Sequence, residues 1–357
     1  MKPASLEWRT GRCTKVIEHS AGGGPDRVTL IDVAREAGVS RATASLVIRN
    51  SPLVAGATRE KVEAAIAKLG YVRNLTAARL RANQNRIIGV VVPNLTNSFF
   101  AEFLTGIEFV INNAGLAVLL ANSNDDPARQ LDIVTRMREH GVDGLLICPA
   151  EGTRAGTLSP AQLLRMPIVQ VLRRIRHDLD YVGPDYAGGV ERAVDHLVGL
   201  GHRHIAFAAY RATHSACLER LAGFELAMAR HGLSASSVFH VPDAIGELPA
   251  AASLLLGLSP KPSATLCFND LVALGLSAGL FDLDIIAGRD HALVGFDDVM
   301  SSELARPRLT SVSTHPARIG EIAAHHMLSR LDDRTAVAKA VLVETELVIR
   351  QSCGSRT

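Results

Sequence analysis

From Arg86 onward, short apolar runs alternate with longer segments in which apolar residues recur every three or four positions. The short runs predict buried strands, and the longer amphipathic segments predict helices. Strands are expected at 87–92, 117–121, 144–148, 168–172, 204–208, 264–268 and 292–295, and helices at 100–113, 128–139, 187–200, 216–231 and 270–280. This alternation is typical of parallel sheets whose strands are joined by crossover helices.

A different hydrophobic pattern precedes this region. Between residues 28 and 69, apolar positions spaced three or four apart predict three short amphipathic helices, with Gly38 between the first two. Thr29 and Ser40 are placed to cap the first and second helices, because their hydroxyls accept hydrogen bonds from the free N–H groups of a helix start. The pattern predicts a helix-turn-helix whose second helix, beginning at Arg41, enters a DNA major groove. An ordinary pair of packed helices is the alternative.

Basic residues are concentrated in the same part of the chain. Residues 28–85 hold nine Lys or Arg against four Asp or Glu, whereas the whole chain of 357 residues has a formal net charge of +2. The remainder of the chain is therefore net acidic. A local positive excess is what a surface that contacts DNA phosphates requires.

Several classes of protein are disfavoured by the sequence. No apolar stretch reaches the roughly 18 residues of a membrane span and no signal-peptide core is recognisable, so we expect a cytoplasmic chain with no membrane partner. The five cysteines are scattered, which fits reduced thiols. The pairs His202/His204 and His325/His326 lack the spacing of a zinc helix, and neither a nucleophile elbow nor a phosphate loop is present. We therefore predict no metal, no cofactor and no enzymatic activity.

Beyond these patterns, the chain resembles the lactose/galactose-repressor (LacI/GalR) family of bacterial transcription regulators. The resemblance begins with the run from Val28 to Pro93 and continues at 201–207, 220–224, 268–275 and 294–298. It implies an N-terminal all-α helix-turn-helix DNA-binding domain, followed by a two-lobed α/β effector domain with parallel sheets that is similar to type I periplasmic binding proteins. A solute-binding protein of a transporter shares the two-lobed fold and is the alternative, but it has no use for residues 28–80.

The resemblance also implies the domain boundaries. We expect a disordered N-terminal extension, or an upstream start-codon artefact, at 1–27, the DNA-binding domain at 28–73, and a hinge helix with its linker at 74–85. The first effector lobe is expected at 86–183 plus 314–330, and the second at 184–313 plus 331–352. These ranges place the three crossovers between lobes near Gly183, Ser313 and Leu331. The segment 349–353 resembles the final strand of the family, with no heptad pattern after it.

In the family, the start of the second helix reads base edges and nearby residues contact phosphates. Carried onto this chain, the base-reading positions are Arg41, Ala42 and Leu46, and an arginine can form two hydrogen bonds with guanine. Leu46 departs from the arginine of most relatives, and it either touches a thymine methyl or is merely exposed. The phosphate contacts and one further groove-facing residue are Thr29, Ser40, Thr43, Ser45, Tyr71 and Arg49. Ala55 replaces the usual serine cap, which predicts a weaker start for the third helix.

The hinge resemblance is carried by Asn74, Ala77 and Leu80. In relatives this short helix forms on operator DNA, pairs with its two-fold mate in the minor groove and inserts a leucine into the central base step. Leu80 is the expected wedge, and ordinary packing on the effector domain is the alternative. Because the wedge needs two copies, the resemblance implies a homodimer on a near-palindromic, double-stranded operator.

The resemblance places a small-molecule effector in the cleft between the lobes. Amide and carboxylate groups pair with sugar hydroxyls and aromatic rings cover sugar faces, so a sugar or sugar derivative is the expected ligand. The residues carried over from the family are Asn97, Phe99, Phe100, Asn124, Arg220, Asn269, Phe296 and Asp297. Each of them alone has a structural explanation; Asn269, for example, is also a candidate helix cap.

Other cleft positions depart from the family pattern. Leu172 stands where many relatives have aspartate, and residues 314–315 replace a common Gln-Pro, so the hydroxyl pattern that is recognised must differ. Arg173, Arg174 and His214 either admit an acidic sugar or are solvated charges. The sequence therefore predicts an effector-controlled transcription regulator, in a family whose usual output is repression, and leaves open whether the effector is an inducer or a corepressor.

Overall fold

The computed structural model describes residues 28–71, 85–158 and 166–354. The chain divides into two compact units, of which one ends at Asn83 and the other begins at Gln84. The predictions for the extension at 1–27 and for the hinge residues Asn74, Ala77 and Leu80 lie outside the described residues.

The first unit contains three helices, α1 (Leu30–Glu36), α2 (Arg41–Ile48) and α3 (Gly56–Leu69). Thr29 and Asp32 form a reciprocal capping box at the start of α1, and Ser40 Oγ accepts from the N–H of Thr43 at 3.1 Å at the start of α2. Gly38 has a φ of 65° in the turn between them, a left-handed conformation that glycine adopts at no steric cost. The small shared core consists of Val33, Ala34, Ala44, Val47, Val62 and Ala65.

The start of α3 differs from the other two helix starts. The helix begins at Gly56, and its N-cap residue Ala55 makes no side-chain hydrogen bond. A methyl group cannot accept from the free N–H groups of the first turn. This end of the helix therefore lacks the cap that α1 and α2 possess.

The second unit contains two six-stranded sheets. The strands are β1 (Ile87–Val92), β2 (Ala117–Asn122), β3 (Gly144–Ile147), β4 (Ile168–Val171), β5 (Asp180–Pro184), β6 (Ile205–Ala209), β7 (Val238–His240), β8 (Ala264–Cys267), β9 (Ala292–Asp297), β10 (Thr310–Ser313), β11 (Ala340–Val343) and β12 (Glu346–Val348). We call the sheet ordered β11-β5-β4-β3-β1-β2 and its helices the first lobe, and the sheet ordered β12-β10-β9-β8-β6-β7 and its helices the second lobe. All neighbouring strands are parallel except β10 and β12, which pair antiparallel.

Helices cover these sheets. They are α4 (Ser98–Asn113), α5 (Pro127–Glu139), α6 (Tyr186–Gly199), α7 (Ser215–Arg230), α8 (Ala251–Leu256), α9 (Asp270–Phe281), α10 (Met300–Leu304) and α11 (Pro316–Asp332), with 3-10 turns at Ala155–Leu158 and Ile245–Ala250. Helices α4 and α11 approach closely at Gly106, where an added Cβ would lie 1.9 Å from the carbonyl oxygen of Ala317. That contact permits only glycine, and it fixes α11 to the first lobe.

The chain passes between the lobes after Pro184, after Ser313 and after Val343. The third crossover was expected near Leu331, and this prediction was wrong because the crossover lies after Val343. Strand β11 pairs in parallel with β5, so residues 340–343 belong to the first lobe and not to the second. This strand lies at the edge of the first-lobe sheet, and its four apolar residues include Leu342, which is largely exposed.

The final strand is also earlier than the sequence resemblance suggested. Strand β12 covers Glu346–Val348, while residues 351–353 form a turn and not the strand expected at 349–353. The turn is fixed by its own hydrogen bonds: the Ser352 hydroxyl donates to the carbonyl of Leu293 at 2.6 Å, and the N–H of Thr310 donates to the same hydroxyl at 2.9 Å.

Candidate functional site

The candidate DNA-reading surface is one face of α2. Its buried side carries Ala44 and Val47, whereas Arg41 and Ala42 are exposed at the start of the helix and Leu46 is half-buried. A helix with one packed stripe leaves its opposite face free for a major groove. The base-reading positions expected from the sequence therefore lie on or beside the accessible face.

The expected phosphate-contacting side chains make local hydrogen bonds. The Thr29 hydroxyl donates to Asp32 at 2.6 Å, and the hydroxyls of Ser40 and Thr43 lie 2.9 Å apart. Arg49 donates from Nε to the carbonyl of Ser45 at 3.1 Å. These bonds hold the helix starts and the Arg49 side chain in defined orientations.

Tyr71 is different, because it packs against the small core of the first unit and is half-buried. Its N–H donates to the carbonyl of Ile66 at 3.1 Å, beyond the left-handed Gly70 that ends α3. The ring thus contributes to the packing of α3 as well as standing at a position predicted to contact phosphate.

A cavity of about 580 Å³ lies between the two lobes. Its walls come from segments that follow the carboxyl ends of parallel strands in both sheets, which is where open α/β sheets bind ligands. Seven of the eight expected effector-binding residues line it, namely Asn97, Phe99, Phe100, Asn124, Arg220, Asn269 and Asp297. The volume is in the range of pockets that enclose a small ligand.

Phe296 is the exception and corrects the prediction. Its side chain is fully buried in the hydrophobic core of the second lobe and does not line the cavity. Successive side chains of a strand point to opposite faces, so placing Asp297 at the cavity turns Phe296 away from it. The ring still supports the site, because its centroid lies 4.4 Å from the guanidinium carbon of Arg220.

Arg220 and Asp297 form a buried ion pair at the second-lobe wall. Arg220 is 4% exposed, and its Nη2 lies 3.4 Å from Oδ1 of Asp297, which is long for a charged hydrogen bond. The guanidinium is surrounded by the rings of Tyr186, Phe268 and Phe296, with centroids 4.0–4.4 Å away. Among the buried side-chain nitrogen and oxygen atoms of the described residues, Nε of Arg220 alone has no partner.

Burial changes the protonation of this pair. It raises the pKa of Asp297 to about 8, against the opposing attraction of the Arg220 guanidinium. Asp270, which lies behind the cavity wall, has its pKa raised by burial to about 7, although it accepts hydrogen bonds from the N–H of Val299 and the hydroxyl of Ser302. A carboxyl with a raised pKa can both donate to and accept from a polar ligand near neutral pH.

The first-lobe wall carries a second pair, Arg173 and Asp125. Nη1 and Nη2 of Arg173 lie 2.6 and 3.3 Å from the two carboxylate oxygens, and Nη1 also donates to the carbonyl of Pro149 at 3.2 Å. This arginine is therefore already neutralised and hydrogen-bonded within its own lobe. Arg174 does not line the cavity, and its guanidinium carbon lies 5.0 Å from the ring centroid of Tyr181.

His214 lines the cavity as a neutral imidazole. Burial and the nearby charges of Arg173 and Arg220 lower its pKa to about 2. Nδ1 accepts from the N–H of Cys217 at 3.1 Å, so the side chain caps α7 and carries its proton on Nε2. It offers a ligand a hydrogen-bond donor and no positive charge.

A family profile described as "Bacterial regulatory proteins, lacI family" matches residues 29–74, and one described as "Periplasmic binding protein-like domain" matches residues 194–353. The HTH-type transcriptional repressor PurR of Photobacterium profundum is 31% identical over 328 residues, covering 91% of this chain and 98% of that protein. The chain belongs to the LacI family.

Solved structures agree with this LacI-family assignment. The Lac repressor dimer bound to operator and the anti-inducer ONPF superposes with a TM-score of 0.84 at 25% identity, covering 92% of this chain and all of that chain. The regulator CelR in complex with cellobiose superposes with a TM-score of 0.68 at 29% identity, covering 91% of this chain. This LacI-family protein is thus an effector-controlled, DNA-binding transcription regulator and not an enzyme, and the transporter alternative is set aside.

The sequence did not single out several residues of this LacI-family cleft. Tyr186, Tyr210 and Phe268 line the cavity, as do Asp125 and Glu151. Each follows the carboxyl end of a strand, and that position was the available signal. Within the described ranges no cluster of His, Cys, Asp or Glu could hold a metal ion, and no helix is long and apolar enough to cross a bilayer.

Proposed function

We propose that this LacI-family regulator binds a near-palindromic operator as a homodimer in the cytoplasm, and that a neutral carbohydrate in the cleft controls its operator affinity. The Arg220–Asp297 pair carries the proposal. Its long contact and the unpartnered Nε of Arg220 leave a buried pair incompletely satisfied. A ligand with hydroxyl groups supplies the donors and acceptors that such a pair lacks.

The charges of the cavity wall favour a neutral ligand over a sugar acid. Arg173 is neutralised by Asp125, Arg220 faces Asp297, and His214 is uncharged. At the exposed rim, Arg211 and Asp243 carry opposite charges. An anionic ligand would therefore find Arg173 already paired with a carboxylate, and Arg220 already held by Asp297 and enclosed by three aromatic rings.

Aromatic side chains supply the rest of the recognition. Phe99 and Phe100 pack edge to face with centroids 5.3 Å apart, and Tyr210 and Phe268 do the same on the other wall. Rings on both walls provide apolar surface for the faces of a sugar. The relative CelR, solved with cellobiose, supports a carbohydrate as the ligand class.

Exposed apolar side chains support association of two copies. Phe109 and Leu120 are exposed on the first lobe, and Phe281, Met300 and Leu304 are exposed on the second. Such side chains would lose their contact with water in an interface between two copies. The Lac repressor relative, solved as a dimer on its operator, supports a homodimer. The role of Leu80 as the minor-groove wedge rests on the family resemblance of the sequence.

Thermal stabilisation of the purified chain by neutral sugars and by the matching sugar acids tests the effector proposal. Binding to the native state raises the midpoint of unfolding, and the rise continues with the logarithm of the ligand concentration once that concentration exceeds the Kd. We expect at least one neutral sugar to raise the midpoint and the Asp297→Asn variant to lose that shift. Stabilisation by sugar acids alone would contradict the proposal.

A further inference from the structure

Three hydrogen bonds cross the cleft and converge on the carboxylate of Glu151. Glu151 follows β3 in the first lobe, whereas Thr213 and His214 lie between β6 and α7 in the second. The N–H of Thr213 donates to Oε1 and the N–H of His214 donates to Oε2, each at 3.1 Å, and the Thr213 hydroxyl also donates to Oε1. Both carboxylate oxygens are thus used to join the lobes.

Glu151 is held firmly from its own lobe. Its N–H donates to Oδ1 of Asp125 at 2.9 Å, and Asp125 is itself held by Arg173. The preceding N–H, of Ala150, donates to Oε1 of Gln130 at 2.7 Å, and Gln130 is 2% exposed. The carboxylate is therefore presented to the other lobe by a fixed backbone.

In the second lobe, the two residues that donate these bonds directly precede α7, a helix of 16 residues. The free N–H groups and the dipole of a helix start favour a negative charge there. His214 caps this helix, and the same helix carries Arg220 of the ion pair two turns further on. A carboxylate that fixes the start of α7 therefore also fixes the wall that presents Arg220.

Other contacts that join the lobes near the cleft, including the bond from the Tyr186 hydroxyl to the carbonyl of Leu172, are single hydrogen bonds. The N–H of Met300 donates to Glu102 at 3.2 Å, and the N–H of Arg174 donates to the hydroxyl of Ser215 at 2.8 Å. Glu151 contributes three bonds, of which all are charge-assisted.

We propose that Glu151 is a latch, meaning a residue that holds the two lobes together before any effector binds. It thereby sets the fraction of ligand-free molecules in which the cleft is already closed. The proposal rests on the proposed function only in that the cleft is where the effector binds. Glu151 acts by positioning Thr213, His214 and α7. The affinity of the cleft for a ligand depends on the fraction of molecules whose lobes are in the conformation that binds it.

The test uses the full-length chain without any added ligand. Glu151→Gln places an NH₂ group against one of the donors, and Thr213→Val removes one of the three bonds while keeping the side-chain shape. Asp132→Asn makes the same charge change at an exposed position of the first lobe. Hydrogen exchange at the N–H groups of residues 213 and 214 is measured, together with the distance between genetically encoded spin labels at the exposed positions Leu131 and Leu226.

For Glu151→Gln we expect exchange at residues 213 and 214 to become roughly tenfold faster, since bonds to a charged acceptor are lost. We also expect the distribution of distances between the two labels to shift to longer values. Thr213→Val should give a smaller change in the same direction, and Asp132→Asn should give none.

Faster exchange with an unchanged distance distribution would mean that Glu151 only orders its loop contact, and it would overturn the latch. Native exchange rates would overturn it as well. Because no effector is used, either result is independent of whether the cleft binds a carbohydrate.

Discussion

The helix α2 and the effector cleft differ in how far apart in the sequence the residues that stabilise them lie. The start of α2 is fixed by bonds between residues three positions apart, such as Ser40 and Thr43, at exposed sites. The cleft is fixed by ion pairs between residues that are distant in sequence: Arg220 and Asp297 are 77 positions apart, and Arg173 and Asp125 are 48 apart. The first site follows from its own segment, whereas the second exists only once two sheets have formed.

This difference predicts how each site responds to substitution. An exposed helix cap contributes about 1 kcal/mol to the free energy of unfolding. Breaking a buried ion pair lowers that free energy by about 3–5 kcal/mol, because one charge is left buried without its partner. Substitutions in the cleft should therefore destabilise their unit strongly, and substitutions on α2 should alter DNA recognition with little change in stability. Four substitutions test this contrast.

The largest effect is expected for Arg220→Ala. The change leaves Asp297 buried without its cation and opens space among three aromatic rings. Because the raised pKa of Asp297 lets it take up a proton, we expect a loss of about 3 kcal/mol in the free energy of unfolding, near the lower end for buried pairs. Urea denaturation followed by circular dichroism measures it. Arg230→Ala, at an exposed position of the same helix, is the control. If Arg220→Ala loses no more stability than this control, the cleft is not stabilised by its buried pair as proposed.

The next effect is expected for Asp297→Asn. Burial raises the pKa of Asp297 from 3.8 to about 8, so the folded state holds the proton more tightly than the unfolded state. Its contribution to stability is present below about pH 4 and is lost as the pH rises towards 8, with a slope of up to about 1.4 kcal/mol per pH unit. The variant should therefore become progressively more stable than the native chain between pH 5 and 8. Parallel pH profiles for the two proteins would refute the buried, uncharged carboxyl.

A smaller effect is expected for Ser40→Ala. The change removes the side-chain acceptor for the N–H of Thr43 at the start of α2. We expect the helix-turn-helix unit to lose about 1 kcal/mol, and the unfolding of the effector unit to be unchanged. Hydrogen exchange resolved by segment measures both. A loss that extends into residues 85–354 would show that the site is not locally determined.

The smallest effect on stability is expected for Leu46→Arg. Leu46 is half-buried on α2, outside the core formed by Ala44 and Val47. We expect the free energy of unfolding to change by less than about 0.5 kcal/mol, while the base preferred at one half-site position shifts towards guanine. Selection of bound DNA from a random library measures the preference. An unchanged preference would mean that this side chain does not read sequence.

The same contrast separates what the sequence revealed from what it did not. The caps Thr29 and Ser40, the glycine turn and the start of α2 were predicted correctly, because each depends on neighbours within a few residues. The central strands β1, β3 and β8 were likewise evident as continuous apolar runs, since a parallel strand is buried on both faces.

Long-range features escaped prediction for physical reasons. The strand β10 reads Thr-Ser-Val-Ser, yet it is fully buried, because its hydroxyls bond to Asp270 and Cys353. Beside the pairing of β11 with β5, Arg330 donates hydrogen bonds both to Asp180 of β5 and to the carbonyl of Val337 in the loop before β11. The aromatic rings around Arg220 come from three separate strand ends, and no local pattern identifies them.

Leu172 illustrates a departure that the sequence identified and that the local backbone conformation disfavours. It has a φ of 62°, a left-handed conformation that aspartate and asparagine tolerate better than leucine. Its carbonyl accepts from the Tyr186 hydroxyl at 2.9 Å, which holds the strained residue at the cavity wall. An apolar side chain thus stands where many relatives offer a carboxylate.

The central claim is that a neutral carbohydrate at the Arg220–Asp297 pair controls operator binding. The most direct measurement selects genomic fragments bound by the purified native chain and by Asp297→Asn, each with and without a panel of neutral sugars and sugar acids. The account predicts one near-palindromic site shared by both proteins, and a neutral sugar that changes the binding of the native chain alone. A variant that responds like the native chain, or a response to sugar acids only, would contradict it.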